Sequence, residues 1–242
     1  MPFAIGHRFK KLMKDFSQLE QSLGHVFDNK DLIKEAVVHR SYLNEHPEFM
    51  LPHNERLEFL GDAVLELVVT EYLYKNYPNP EGELTNWRAA LVNSNMLAEI
   101  ATELEIESYL YLSKGEAKDK NTKARKYILA NAMEAVIGAI YLDKGYQASW
   151  QFINQKILVK LPEILEQKLY QDPKSKFQEV AQGKVGVTPV YRVLEESGPD
   201  HDKHFIVGVF LKKEMVAEGE GSSKQEAQVS AAQEGLKNKD WD

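Results

Sequence analysis

Apolar residues recur at helical spacing from Asp31 to about Leu169, and the period changes after Gln171-Asp-Pro173. Leu57, Leu60, Val64, Leu67 and Val68 form one stripe, and Ile128, Met133, Ile137 and Ile140 form another. Their three-and-four spacing predicts amphipathic helices. Breakers at Pro78-Asn-Pro80-Glu-Gly82, Ser113-Lys-Gly115 and Lys144-Gly145 divide them. Beyond the change of period, a short amphipathic helix over Lys174–Gln182 leads to three β-rich stretches, Val190–Glu196, Lys203–Leu211 and Glu214–Glu220. The turn Ser197-Gly-Pro-Asp200 separates the first two. Gly221-Ser-Ser223 caps a final helix carrying Ala227, Ala231, Ala232 and Leu236. The expected organisation is an all-α domain over residues 1–167, then a small α+β domain of order α-β-β-β-α over residues 173–240, whose helices can cover one sheet face.

Composition narrows the classes. The 242 residues are 43% hydrophobic and 28% charged, as in an ordinary globular protein, and no apolar run approaches the roughly 20 residues that span a bilayer. Met1 to Leu23 mixes Lys10, Lys11, Lys14 and Asp15 with apolar residues and lacks a signal-peptide core. The absence of cysteine excludes disulfides and thiolate metal sites and fits a cytoplasmic protein. Net charge is −7, with 20 Lys+Arg against 24 Asp+Glu in residues 1–171 and 10 against 13 in residues 172–242. Any nucleic-acid contact therefore depends on local placement of cations.

The densest chemistry lies in His53-Asn-Glu-Arg-Leu-Glu-Phe-Leu-Gly-Asp62. At about 100° per residue, Glu55, Glu58 and Asp62 fall on one helix face within roughly 60° of one another. Carboxylates so stacked repel, and a hard divalent cation suits an all-oxygen cluster. A second donor pair, Asn131 and Glu134, sits one turn apart inside an apolar helix over Tyr127–Leu142, where a buried carboxylate needs a partner. Across two facing helices, Glu58, Asp62, Asn131 and Glu134 offer oxygens for one or two Mg²⁺ ions and metal-assisted phosphodiester hydrolysis. A solvated acidic face accounts for the same spacing at least as commonly. The Glu-x-x-His pair of a di-iron bundle is absent, and Gly183-Lys184 lacks the upstream glycine of a P-loop.

The run Asn54-Glu-Arg-Leu-Glu-Phe-Leu-Gly-Asp62-Ala-Val resembles the signature motif of bacterial ribonuclease III nearly residue for residue. Further matches follow in order: Val38-His-Arg-Ser41, Glu81-Gly-Glu-Leu-Thr85 with Arg88-Ala-Ala-Leu-Val92, and Ile128 to Asp143; the α-β-β-β-α module resembles that family's double-stranded RNA-binding domain. The resemblance covers essentially the whole chain. It implies a homodimeric endonuclease that hydrolyses double-stranded RNA, leaves 5′-phosphate and 3′-hydroxyl ends, and processes ribosomal and messenger RNA precursors. It assigns metal ligation to Glu58, Asp62, Asn131 and Glu134, with Asp62, Glu134 and Glu55 in the catalytic set and Glu81 supporting the cleavage site. Mg²⁺ is the implied cofactor, with Mn²⁺ able to substitute. Phe59 matches the aromatic that packs into the partner subunit; an ordinary core phenylalanine is its alternative. One departure stands out, since Asn131 occupies a position usually held by Asp. The site thereby loses one negative charge, which leaves open a non-catalytic or impaired double-stranded RNA-binding protein.

Duplex RNA is read by shape, through phosphate and 2′-hydroxyl contacts. Gln178 and Glu179 on the module's first helix, His204 in the loop, and Ser222, Ser223 and Lys224 at the start of the last helix are the candidate contacts. The usual basic run there is reduced to Lys224, followed by Gln225 and Glu226, so affinity and salt dependence are expected to be modest. Zinc binding by His201 and His204 is disfavoured because no further ligands accompany them. Arg88, Lys123, Arg125 and Lys126 are candidate phosphate contacts on the first domain, with solvated helix cations the equal alternative.

Overall fold

A computed structural model describes residues 14–120, 122–199 and 203–241. The chain divides into two units, Met1–Gln167 and Lys168–Asp242. The N-terminal residues up to 13, His201 and its two neighbours lie outside the described residues.

The first unit contains α1 (Ser17–Leu23), α2 (Lys30–Ala36), α3 (Arg40–Glu45), α4 (Glu55–Asn76), α5 (Glu81–Val92), α6 (Ser94–Glu103), α7 (Lys114–Lys118), α8 (Lys123–Lys156) and α9 (Leu161–Glu166). Short 3₁₀ turns at Ile106–Tyr109 and Leu158–Lys160 join the later helices. Side-chain caps fix several starts: Asn29, Asn93, Ser113 and Thr122 each accept a backbone N–H from the first turn of the helix that follows. The α8 helix is the hub, packed most extensively against α4 and also against α6 and α2. Because it is surrounded, its apolar stripe widens until Ala135, Val136, Ile137, Ala139 and Ile140 are all fully buried. At Gly145, φ of 76° bends α8, a conformation that costs glycine little. Just before that bend, Asp143 accepts the backbone N–H groups of Asp28 and Asn29 and meets His25 Nε2 at 3.3 Å, which ties α8 to the start of α2.

The second unit runs α10 (Pro173–Val185), β1 (Val190–Ser197), β2 (His204–Leu211), β3 (Glu214–Gly221) and α11 (Lys224–Asn238). The three strands form an antiparallel sheet in the order β1-β2-β3, Tyr191 opposite Val209 and Val209 opposite Ala217. Alternation along β2 sends Phe205, Val207, Val209 and Leu211 inward, where Phe177 and Ala181 of α10 and Ala231, Ala232 and Leu236 of α11 complete the core. Close approach depends on Gly219: a Cβ there would stand 2.1 Å from the backbone nitrogen of Ala231. Among the described residues, no helix is long and apolar enough to cross a membrane.

Candidate metal centre and RNA-binding face

The α4 helix begins where buried Asn54 is anchored by its backbone N–H to Val38 O and by its side-chain amide to Ala36 O. That anchor turns Leu57, Gly61, Val64 and Leu65 toward the core and leaves Glu55, Glu58 and Asp62 along the edge of the buried stripe. From α8, Asn131 and Glu134 arrive on the facing side. The two helices touch backbone to backbone, since a Cβ on Gly61 would lie 1.7 Å from Glu134 O and one on Gly138 would lie 2.2 Å from Leu57 O. This reciprocal glycine contact brings Glu58, Asp62, Asn131 and Glu134 into one neighbourhood.

The electrostatics record that proximity. Burial first, and then the charges of Asp62 and Glu58, together raise the Glu134 carboxyl to about 7. Glu58 is also raised, first by burial and then by the Glu55 charge, with a polar contact from the Asn131 amide opposing the shift and Asp62 reinforcing it. Glu134 and Glu58 are half-buried, so the expected deep burial of Glu134 is only partly realised. Among the described residues, no three His, Cys, Asp or Glu side chains are arranged to hold a metal ion by themselves. The set is an open one of three carboxylates and an amide. Hard oxygen donors with an excess of uncompensated negative charge fit a hard divalent cation, which would relieve the repulsion that raises these carboxyls.

Glu55 stands at the rim, 3.6 Å from Arg40 Nη1 and 3.8 Å from His53 Nδ1. Glu81 lies elsewhere. It opens α5, accepts from Thr85 Oγ1 at 3.0 Å, and lines a cavity of about 450 Å³ together with Thr70, Leu73, Tyr74, Leu84 and Arg88. Thr70 is two turns beyond Asp62 along α4, about 12 Å at 1.5 Å per residue, so a single chain does not bring Glu81 into the carboxylate cluster. Phe59 is 81% exposed, which excludes the core alternative. Leu67 and Tyr74 continue its exposed apolar line along α4.

Two candidate phosphate contacts are otherwise engaged. Arg125 is buried, donating to Glu116 O and lying 3.8 Å from Glu107, because its place in the first turn of α8 faces the packed side. Arg88 pairs with Glu66 at 2.8 Å and donates to Thr70, pinning α5 to α4. Lys123 and Lys126 remain exposed.

In the second unit, Gln178 and Glu179 are exposed on α10. His204 is the first residue of β2, 3.2 Å from Glu220. Ser223 caps α11 by accepting from the Glu226 N–H at 3.2 Å, while Glu226 accepts from the backbone N–H and hydroxyl of Ser222. The Ser-x-x-Glu spacing of Ser223 and Glu226 is that of a capping box, but here the glutamate reaches one residue farther back, to Ser222. Lys224 lies 3.5 Å from Glu196.

Comparison with known proteins accounts for both units. Residues 29–161 match the family model described as Ribonuclease-III-like, and residues 173–239 match the double-stranded RNA binding motif. A protein named Ribonuclease 3 from a Nitratiruptor species is 43% identical over 93% of this chain and 97% of its own length. Ribonuclease 3 from Carboxydothermus hydrogenoformans is 44% identical over 90% and 93%. The solved nuclease domain of ribonuclease III from Campylobacter jejuni superposes with a TM-score of 0.53 at 39% identity, covering 61% of this chain and 99% of that domain. A helical nuclease domain followed by a duplex-RNA-binding module is the architecture of a double-stranded RNA endoribonuclease. This chain belongs to the bacterial ribonuclease III family.

Proposed function

We propose that the chain is a Mg²⁺-dependent ribonuclease III that cuts duplex RNA at the neighbourhood of Glu58, Asp62, Asn131 and Glu134, leaving 5′-phosphate and 3′-hydroxyl ends. The observation that carries this reading is the glycine contact between α4 and α8, which gathers donors from two helices at one place. Those four side chains would hold Mg²⁺, or Mn²⁺ in its place; the ion supplies activation of water and neutralisation of charge on the scissile phosphate. Glu134, raised to about 7 in the metal-free chain, would be drawn into its anionic form by the bound cation and so would ligate it as a full carboxylate. Glu55, held by Arg40 and His53, orients water or a 2′-hydroxyl at the rim. Precursors of ribosomal and messenger RNA in the cytoplasm are the substrates this reading implies.

The enzyme works as a homodimer. Phe59 projects from α4, and the cavity beside Tyr74 and Leu84 lies farther along the same helix, so a two-fold partner can place each phenylalanine in the other's socket. The Campylobacter nuclease domain carries a region described as involved in dimer formation. Lys123 and Lys126, exposed in the first turn of α8, would add cations for the phosphate backbone upstream of Asn131.

Cleavage of a long RNA duplex across a Mg²⁺ titration, with end-group mapping, tests the reading. Failure to cleave at any Mg²⁺ or Mn²⁺ concentration, with duplex binding retained, would instead establish the non-catalytic RNA-binding protein that Asn131 keeps in view.

A further inference from the structure

The end of the second domain that carries the α11 N-terminus and the β1–β2 connection holds the chain's own carboxylates. Glu196, near the end of β1, binds Lys203 at 2.6 Å through one oxygen and pairs with Lys224 at 3.5 Å through the other. Lys203 ends the β1–β2 connection and Lys224 is the first residue of α11. A single carboxylate thus bridges the two elements that present cations here. The hydrogen bond from Lys203, followed by the charges of Lys203 and Lys224, holds the Glu196 carboxyl below the usual range, so it is anionic at neutral pH. Lys224 also lies over the Phe205 ring, 5.5 Å from its centroid, which confines its ammonium to this corner.

We propose that Glu196 is a built-in stand-in for an RNA phosphate, holding Lys203 and Lys224 together and setting how tightly, and with what salt dependence, the chain grips duplex RNA. The proposal rests on reading this end of the domain as its RNA-binding face. A phosphate reaching either lysine exchanges one anion for another. Fewer counterions are then released than a bare lysine pair would release, and the salt dependence of binding flattens. The bridge is exposed and each pair is therefore weak, so RNA can displace it. Glu196 tunes the grip and does not block it. Part of the weak phosphate affinity expected from the reduced basic run thus arises from an acid on a neighbouring strand.

The test uses the full chain in EDTA, where cleavage is suppressed, and an RNA duplex longer than about 16 base pairs, the span of one such domain. Dissociation constants are measured across a salt series for the unaltered chain, Glu196→Gln, Lys224→Met, and the double variant, with thermal melts to confirm folding. Glu196→Gln keeps the shape and a hydrogen-bond acceptor but removes the charge. It is expected to tighten binding roughly two- to tenfold, the worth of two exposed ion pairs, and to steepen the salt slope by up to about one unit per lysine. Adding Lys224→Met should cancel most of that gain. Unchanged affinity and slope in Glu196→Gln, with Lys224→Met still weakening binding, would overturn the stand-in while preserving the RNA face. If neither substitution matters, the RNA reading of this face fails, and the proposal with it.

Discussion

Gly61 presses so closely on Glu134 that a Cβ built on the glycine would stand 1.7 Å from the glutamate's carbonyl oxygen. The proposed metal donors of α4 and α8 are spaced by this contact and by its counterpart at Gly138. Gly138→Ala would force Leu57 O, 2.2 Å from the new methyl, to retreat. We expect a loss of about 1–3 kcal/mol of stability and a higher Mg²⁺ concentration for half-maximal cleavage. Gly82→Ala, with nothing within 4 Å of its Cβ, is the matched control and should change neither. Urea melts and a metal titration of both variants decide the matter.

The acidic neighbourhood also gives the metal-free protein a pH dependence. Glu134 titrates at about 7 in the fold against an ordinary 4.5. Between those values the folded chain holds a proton that the unfolded chain has released, so this contribution is fully present below about 4.5 and is lost as pH rises to about 7. Because the side chain is only half-buried, solvent screening reduces the effect to on the order of 1–2 kcal/mol. Denaturation in EDTA at pH 5 and pH 8 should show the decline, and Glu134→Gln should flatten it. Equal slopes for the two proteins would assign the pH dependence to other groups.

Asn131 contributes an amide where an acid would add charge beside Glu58 and Glu134. Asn131→Asp is expected to lower the Mg²⁺ needed for half-maximal cleavage roughly three- to tenfold, the equivalent of about 0.7–1.4 kcal/mol. The same change should lower the melting temperature of the metal-free chain and enlarge its rise on adding Mg²⁺. Thermal melts with and without the ion test this independently of turnover.

Phe59 offers a check on assembly. Truncating an aromatic anchor at the centre of an interface costs at least about 2 kcal/mol, roughly a 30-fold weaker association. Sedimentation of Phe59→Ala across a concentration series should show dissociation where the unaltered chain remains paired. A sedimentation profile identical to that of the unaltered chain counts against the knob-and-socket dimer.

Arg125 separates structural cations from RNA-binding ones. Replacing it with Met removes the donor to Glu116 O and leaves that carbonyl without it, a cost of about 1–3 kcal/mol. The salt slope of RNA affinity should not move. A flatter slope would return Arg125 to the phosphate track.

These cases mark what a sequence can reveal. Helical period, strand alternation and turn chemistry disclose the all-α unit and the α-β-β-β-α order, because both follow from local repeats. The acidic spacing along α4 is legible for the same reason. The orientation of Arg125 is not, since Lys123, Arg125 and Lys126 read alike until α7 and the turn at Ile106–Tyr109 decide which one is covered. Glu196 escapes for a similar reason: its partners lie 7 and 28 positions along the chain, joined only after the sheet forms. Gly61 and Gly138 can be seen as glycines but not as a contact.

The dependence of α4 on α8 also bears on synthesis. The main partner of α4 is made roughly 70 residues after it, about 4–14 s at 5–20 residues per second. Until α8 has left the ribosome, Glu58 and Asp62 have no Asn131 or Glu134 to face, so the growing chain lacks the carboxylate neighbourhood proposed as its cutting site.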